Sequence, residues 1–338
     1  MNNKIIFQII AAVSTVFMCN MPSFAQNDEA QALTDSVSIQ RPFSLFHYNE
    51  ITTIGLTLGY FTYNEIISLT DDIQQFTDQF GFKPEISGAP KSTETGTVFG
   101  LSAEKTFYFW KDRMLLRPKA SFLFGYNTSY DGSTQQQMLV SDNGDTIGFG
   151  YDPIKYTKNN FFLDAGCDVG YVFPQEHLPF TLYSGIDFKL WYRDLLASGG
   201  QLTYSTGVNN SETYYWFNVP IGIMMTKPMS PTLVLGIDAR LDWMVYGTMK
   251  VSMSDGSSSD DYPAVTLGNR PSFKLELFSQ SKSSDDRAYK FSPYVIWYGF
   301  EKSNTEIATS SDQTSHMFLE PASRSFVVGI TVSLVFLK

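Results

Sequence analysis

Apolar and polar residues alternate at every second position over much of this chain, in stretches of ten residues or more. The last stretch is the clearest. Phe326, Val328, Ile330, Val332, Leu334 and Phe336 share one face, and Gly329, Thr331 and Ser333 interrupt the other. A second face runs Leu233, Leu235, Ile237, Ala239, Leu241 and Trp243, opposed by Gly236, Asp238, Arg240 and Asp242. A third runs Phe180, Leu182, Ser184, Ile186, Phe188 and Leu190, opposed by Tyr183, Gly185, Asp187 and Lys189. Successive side chains of a strand point to opposite sides of the sheet, so each stretch predicts a strand with one apolar and one polar surface. Ten strands are predicted, near 52–63, 96–109, 115–127, 161–173, 180–193, 213–226, 232–246, 272–278, 289–300 and 324–337. Beyond the first 25 residues no segment approaches 18 consecutive apolar residues, which excludes helical membrane spans.

The connections between these strands alternate in length. Those at 64–94, 128–160, 194–212, 247–271 and 301–323 are long, those at 110–114, 174–179 and 227–231 are short, and 279–288 is intermediate. All the elaboration therefore falls at one end of the sheet. A β-sandwich or jelly roll also has many alternating strands, but its strands are about five or six residues long. The stretches here match the length that crosses a bilayer at a tilt. A soluble barrel of the lipocalin type would bury the apolar face and expose the charge. Aromatic residues sit at strand ends beside the short turns: Phe107 and Phe109, Tyr171 and Phe173, Tyr289 and Phe291. Such a band is expected at the interface of an outer-membrane barrel, although aromatics favour strands in any setting.

Composition sharpens this picture. The 338 residues include 24 Lys plus Arg and 34 Asp plus Glu, a formal charge of −10, with 17% charged residues, 28 Phe and 19 Tyr. So few bases make a poor grip for a phosphate backbone, and no nucleic-acid partner is expected. Residues 1–25 read as a signal peptide, with Lys4 ahead of an apolar stretch from Ile5 to Met18 and Ser23-Phe24-Ala25 before the cut. Met18 is too bulky before Cys19 for a lipoprotein signal. Residues 26–50 would form a periplasmic N-terminal segment and 51–338 the barrel. Cys167 alone remains after cleavage, so neither an intramolecular disulfide nor a thiolate metal cluster is available.

The Ser-Phe-Ala/Gln junction, the alternation over 52–337 and the closing Ser333-Leu334-Val335-Phe336-Leu337-Lys338 resemble the outer-membrane β-barrel proteins common in Bacteroidota. The resemblance implies an all-β fold: a transmembrane up-and-down antiparallel barrel with long extracellular loops and short periplasmic turns. It also implies the barrel-assembly machinery as a partner during biogenesis, reading an aromatic near the C-terminus. Here Phe336 stands third from the end, where the family pattern has it last. No particular substrate is implied, and no cofactor is expected.

With the apolar faces outward, the opposite faces would carry seven acids, Glu104, Asp164, Asp168, Asp187, Asp238, Asp242 and Glu276, into the lumen. Seven bases would join them: Arg117, Lys119, Lys189, Arg193, Arg240, Lys274 and Lys290. Charges in a low-dielectric lumen survive by pairing or hydration. The balance therefore predicts a cross-linked polar plug, or alternatively a narrow channel. Over 64–94, 128–160, 194–212, 253–270 and 301–323 there are 19 acids and 6 bases, an acidic rim of −13. Such a rim would recruit divalent cations that bridge it to lipopolysaccharide. Asn143-Gly144 predicts a hairpin tip standing above the membrane, and Tyr204, Tyr214, Tyr215 and Trp216 are candidates for sugar stacking or interface anchoring.

Enzyme signatures are missing. The three histidines are His47, His177 and His316. Omptin-type proteases place an Asp two residues before a rim His, whereas position 314 is Thr. Barrel lipases and lipid A deacylases have Ser two residues after the His, whereas Asn49, Pro179 and Phe318 stand there. No G-x-S-x-G, P-loop or H-E-x-x-H occurs. The expectation is a non-enzymatic outer-membrane barrel acting through its surface loops, with a narrow solute channel and a soluble exported β-protein as the alternatives.

Overall fold

The computed structural model describes residues 48–67, 85–87, 90–140, 146–175, 178–194, 209–254, 259–261, 264–309, 315–318 and 320–338, with positions 73, 77 and 81. The expected signal peptide, most of the 26–50 segment, His47, the Asn143-Gly144 tip, His177 and Tyr204 lie outside the described residues. Ten long strands make a closed antiparallel barrel: β1 (Glu50–Ile66), β2 (Ser92–Phe109), β3 (Met114–Val140), β4 (Thr146–Phe173) and β5 (Phe180–Asp194), then β6 (Asn209–Pro228), β7 (Leu233–Ser254), β8 (Ser272–Ser284), β9 (Arg287–Phe300) and β10 (Ala322–Leu337). Each strand pairs with its chain neighbours, and β1 closes on β10 from Ile51↔Leu337 to Ile66↔Ala322. At that seam the Glu50 and Lys338 backbones exchange N–H···O=C bonds of 3.1 and 3.0 Å. Closure leaves no edge strand, which is what a sheet surrounded by lipid requires.

The apolar faces point outward. Leu56, Leu58, Leu101, Ile186, Leu241, Trp243, Ile330 and Val332 are all exposed, and Leu56 reaches 68%. This is the reverse of a soluble barrel, and it removes the soluble alternative: the fold is a transmembrane up-and-down barrel. Among the aromatics beside the short turns, Phe109, Tyr289 and Phe291 face outward, and the Phe173 and Phe180 rings stack with centroids 4.6 Å apart.

Several strands run further than the alternation suggested. β3 and β4 stay paired as far as Val140↔Thr146, so 128–160 is mostly the upper part of a long hairpin rather than a loop. The three-residue strand Glu85–Ser87 adds to it in parallel at Gly148–Gly150. β8 and β9 reach Ser284 and Arg287, which shrinks the intermediate connection to residues 285–286. Polar tracts such as Gln135-Gln136-Gln137 carry no apolar face, so periodicity gave no reason to extend the strands there.

Three prolines interrupt the ladder at regular intervals around the wall. Pairing skips Lys105 and Thr106 opposite Pro118, Gly185 and Ile186 opposite Pro220, and Leu277 and Phe278 opposite Pro293. Proline has no N–H to donate. On its other side each still pairs, with Cys167, Asp242 and Ile330 respectively.

The β2–β3 turn holds three consecutive non-glycine residues at positive φ: Trp110 at 52°, Lys111 at 58° and Asp112 at 60°. A left-handed L-residue costs about 1–2 kcal/mol. Lys111→Gly is therefore expected to raise barrel stability by about 1 kcal/mol and Lys111→Val to lower it by a similar amount. Urea unfolding of the protein in lipid vesicles measures both changes.

Candidate functional site

The lumen is filled in layers, and every strand contributes its inward face. Nearest the short turns lies an apolar layer that includes Tyr108, Leu115, Val172, Tyr183, Met224 and Phe278. Above it comes the charged layer. Arg117 Nε and Nη2 donate to Asp168 Oδ2 at 3.0 and 2.9 Å, and Arg117 Nη1 donates to Asp238 Oδ2 at 2.9 Å. Lys119 Nζ donates to both oxygens of Asp168, at 2.9 and 2.8 Å. The Arg117 guanidinium also lies 4.5 Å from the centre of the Tyr183 ring, whose hydroxyl donates to Asp238.

The network continues around the wall. Arg240 pairs with Asp187 and, through Nη2, donates to Asp242 Oδ2 at 2.9 Å. Lys189 reaches Asp242 at 3.1 Å and Asp164 at 3.4 Å, and Lys119 stands 3.4 Å from Asp187. Asp187 is held by these ion-pair contacts without well-aligned hydrogen bonds. Lys274 and Lys290 share Glu276, at 3.1 and 2.8 Å. Glu104 sits opposite Lys119 in register and lines the same space. Small residues make room for these groups. A Cβ on Gly166 would lie 1.9 Å from Asp187 Oδ1, and one on Gly185 would lie 3.0 Å from Asp168 Oδ1. Two small cavities remain between the charges, of about 70 and 150 Å³.

Thirteen of the fourteen lumen charges read from the sequence meet in this layer. The fourteenth, Arg193, does not. It lies nearer the long loops, beyond an aromatic layer centred on Trp191. That ring packs edge-on to Phe61 (5.7 Å) and Tyr63 (5.0 Å) and stacks on Phe162 (5.4 Å) and Tyr214 (4.9 Å). Tyr214 and Trp216 are therefore buried lumen residues, which corrects their reading as sugar-stacking or interface groups.

Arg193 is fully buried and anchors a second ion cluster that the alternation did not show. Its Nη2 donates to Glu94 Oε2 at 2.9 Å, its Nη1 donates to Glu212, and Glu65 lies 3.9 Å away. The guanidinium packs 4.6 Å from the Tyr63 ring centre and 4.8 Å from that of Trp191. Glu94 also accepts from Thr128 Oγ1 at 2.5 Å and from Asn160 Nδ2, and Asn160 Oδ1 accepts from Trp191 Nε1 at 2.7 Å. Lys158 lies over the Tyr130 ring at 3.9 Å.

Glu320 closes this cluster from the last long connection. The Tyr63 and Tyr214 hydroxyls donate to its Oε1 at 3.0 and 2.8 Å. Its backbone N–H donates to Ser303 Oγ at 2.8 Å, and the Ser303 N–H donates back to its carbonyl at 3.0 Å. Glu65, Glu94, Glu212 and Glu320 were all assigned to the acidic rim from sequence. They turn inward instead, so the rim is less acidic than that count. The available signal was positional, since each lies within two residues of a strand end or just inside one. Burial first, and then the carboxylates of Glu65 and Glu212, push the Glu320 carboxyl well above the usual carboxylate range.

No group of His, Cys, Asp and Glu among the described residues is arranged to hold a metal ion. His316 stands in the short strand Ser315–Phe318, paired with Ala308 of Glu306–Thr309.

No protein-family description and no curated protein matches the chain. Solved structures do. The outer membrane protease OmpT from Escherichia coli aligns with a TM-score of 0.58 at 10% identity, over 88% of this chain and 100% of that one. The toluene transporter TbuX from Ralstonia pickettii aligns at 0.37 and 10% identity, over 87% and 90%. A major outer membrane protein from Thermus thermophilus aligns at 0.35 and 9%, over 84% and 98%. At this identity the first likeness is one of fold, and the other two fall too low to add to it.

Asp168→Ala would leave Arg117 and Lys119 without their shared buried carboxylate. Breaking a buried pair costs about 3–5 kcal/mol. The more exposed Asp164 should lose far less on the same change, and unfolding in lipid vesicles compares the two. At Glu320 the raised carboxyl makes the contact strongest below the ordinary glutamate range and weakens it as pH rises through the folded-state value. Limited proteolysis of the β9–β10 connection should therefore speed up with rising pH, and Glu320→Gln should flatten that dependence.

Proposed function

We propose that this chain is a non-conducting, non-enzymatic barrel of the outer membrane whose work is done at its long-loop end. One observation carries the reading: an ion-paired layer lies between two apolar layers across the lumen. A path for solute would have to part the Trp191 ring cluster, separate the Arg117–Asp168 and Arg240–Asp242 pairs, and then pass Tyr183 and Phe278. Each buried pair that opens exposes charge in a medium of low dielectric. The cavities between the charges suit a few water molecules, since a site for one water needs only about 10–15 Å³.

The outward apolar band supports placement in a bilayer, with the long connections outside the cell and the short turns in the periplasm. Among the described residues, the longest projection at that end is the β3–β4 hairpin, which continues beyond the Asn159↔Asp194 end of the β4–β5 ladder. The exposed acids of this end are suited to divalent cations shared with lipopolysaccharide. The N-terminal leader would bring the chain to the export route, and the barrel-assembly machinery would insert it.

Planar-bilayer recording tests the sealed lumen. Purified protein should show no steady conductance, while Asp168→Ala combined with Trp191→Ala should produce openings. Large reproducible openings of the unmodified protein would overturn the reading in favour of the narrow channel.

A further inference from the structure

The outer wall carries a concavity at the third proline seam. There the β8–β9 ladder skips Leu277 and Phe278 opposite Pro293 and Ser292, then resumes at Ser279↔Phe291 without a shift of register. On the lumen side the gap is filled by Phe278, whose ring lies over the space left by Gly236 and 4.6 Å from the Lys290 ammonium. On the outer side the wall is hollowed into an apolar groove of about 540 Å³.

The groove has a direction. Lys227, Leu235, Ser279 and Phe291 form one register row across β6 to β9, and Met225, Ile237 and Leu277 form the next, with Pro293 beyond Leu277. Four adjacent strands span about 14 Å at the usual interstrand spacing. The floor is apolar or small throughout, and the one charged lining group, the exposed Lys227, stands at one end beside the short β6–β7 turn. An apolar trough ending in a cation, near the level where the hydrocarbon meets the headgroups, has the shape and charge of a phospholipid's complement. Leu178, from the β4–β5 turn, borders the same groove.

We propose that this groove is a binding site for one anionic phospholipid of the periplasmic leaflet, with an acyl chain laid across β6–β9 and the phosphate on Lys227. The proposal rests on the membrane placement given above. It differs from the general coating of the barrel by lipid in that a single molecule is held in a defined place. The proline supplies the hollow and the lysine supplies the orientation.

Native mass spectrometry of the full-length barrel, released from nanodiscs of phosphatidylglycerol and phosphatidylcholine, tests it. The unmodified protein should keep one phospholipid, with a preference for phosphatidylglycerol of about fivefold, the worth of one lysine at a membrane surface. Ser279→Trp, which fills the trough, should lower retention about tenfold. Lys227→Glu should abolish the preference. Leu56→Trp, on the exposed wall of β1, should change nothing. Folding of each variant is read from the gel shift on heating. Should Ser279→Trp not fold, Leu277→Trp fills the trough from the next register row. A protein that keeps no phospholipid, equal retention in Ser279→Trp and Leu56→Trp, a preference unmoved by Lys227→Glu, or a retained molecule other than phospholipid would each overturn the site. Failure of the placement itself would be seen separately, as a barrel that stays in solution without detergent.

Discussion

The structure depends on one constraint: where no water is available, each backbone N–H and C=O must find a partner within the sheet. The β1–β10 seam meets it by pairing sixteen successive positions, Ile51 through Ile66 with Leu337 through Ala322. A barrel with that seam open would present two bare edges. Against this demand the three proline seams are local exceptions. Each proline is placed so that its missing N–H falls on one ladder while the other ladder continues. At Pro118 and Pro220 the neighbouring rows hold Arg117 and Asp187, so the interruptions lie at the level of the charged layer.

Closure then creates a second problem, because ten inward faces converge on a narrow lumen that must be filled. β5 shows how one strand addresses it. Its inward side chains run Tyr183, Gly185, Asp187, Lys189, Trp191 and Arg193, so one face supplies the lower apolar layer, the charged layer, the aromatic layer and the upper ion cluster in turn. Glycine beside charge is part of the same arrangement, since Gly166 leaves the space that Asp187 occupies. The ion pairs are not the cheapest filling, because apolar side chains of equal volume often do as well or better. What they supply is mutual dependence. Asp168 holds Arg117 and Lys119, Arg117 also holds Asp238, and Asp238 accepts from Tyr183. Residues from four strands, β3, β4, β5 and β7, are thereby fixed relative to one another.

Strand number and the set of charges sharing one face were legible because a period of two is a local property, whereas the outward turn of the apolar face was read from strand length, loop asymmetry, low charge and the aromatics at strand ends. Which charge meets which was legible only between chain neighbours, as with Glu104 opposite Lys119 and Arg117 opposite Asp168. Arg240 beside Asp187 joins β7 to β5 over the intervening β6, and no local pattern encodes it. The Arg193 cluster was missed for a different reason. Glu94, Glu212 and Glu320 stand at or beyond the ends of the apolar alternation, where a strand that continues without its apolar face looks like a loop. The reading of Tyr214 and Trp216 as stacking or interface groups failed in the same way. Tyr63, Trp191, Tyr214 and Trp216 fill the lumen rather than face lipid, and composition alone does not distinguish the two destinations.

A shared fold does not carry a shared activity, and here the upper cluster is where the difference would be made. In a ten-stranded barrel open at the long-loop end, the inward residues of the mouth are available to a substrate. In this chain those positions are taken by Arg193, Glu94, Asn160, Tyr63, Tyr214 and Glu320, each satisfied by another. A carboxylate engaged by a guanidinium and two further donors has little capacity left for a reacting group. Among the described residues this cluster packs and pairs as the interior of a soluble domain does. On the function proposed above, chemistry or recognition belongs to the surfaces that the core supports. These are the β3–β4 hairpin and its neighbouring connections on one side, and the lipid-facing wall on the other.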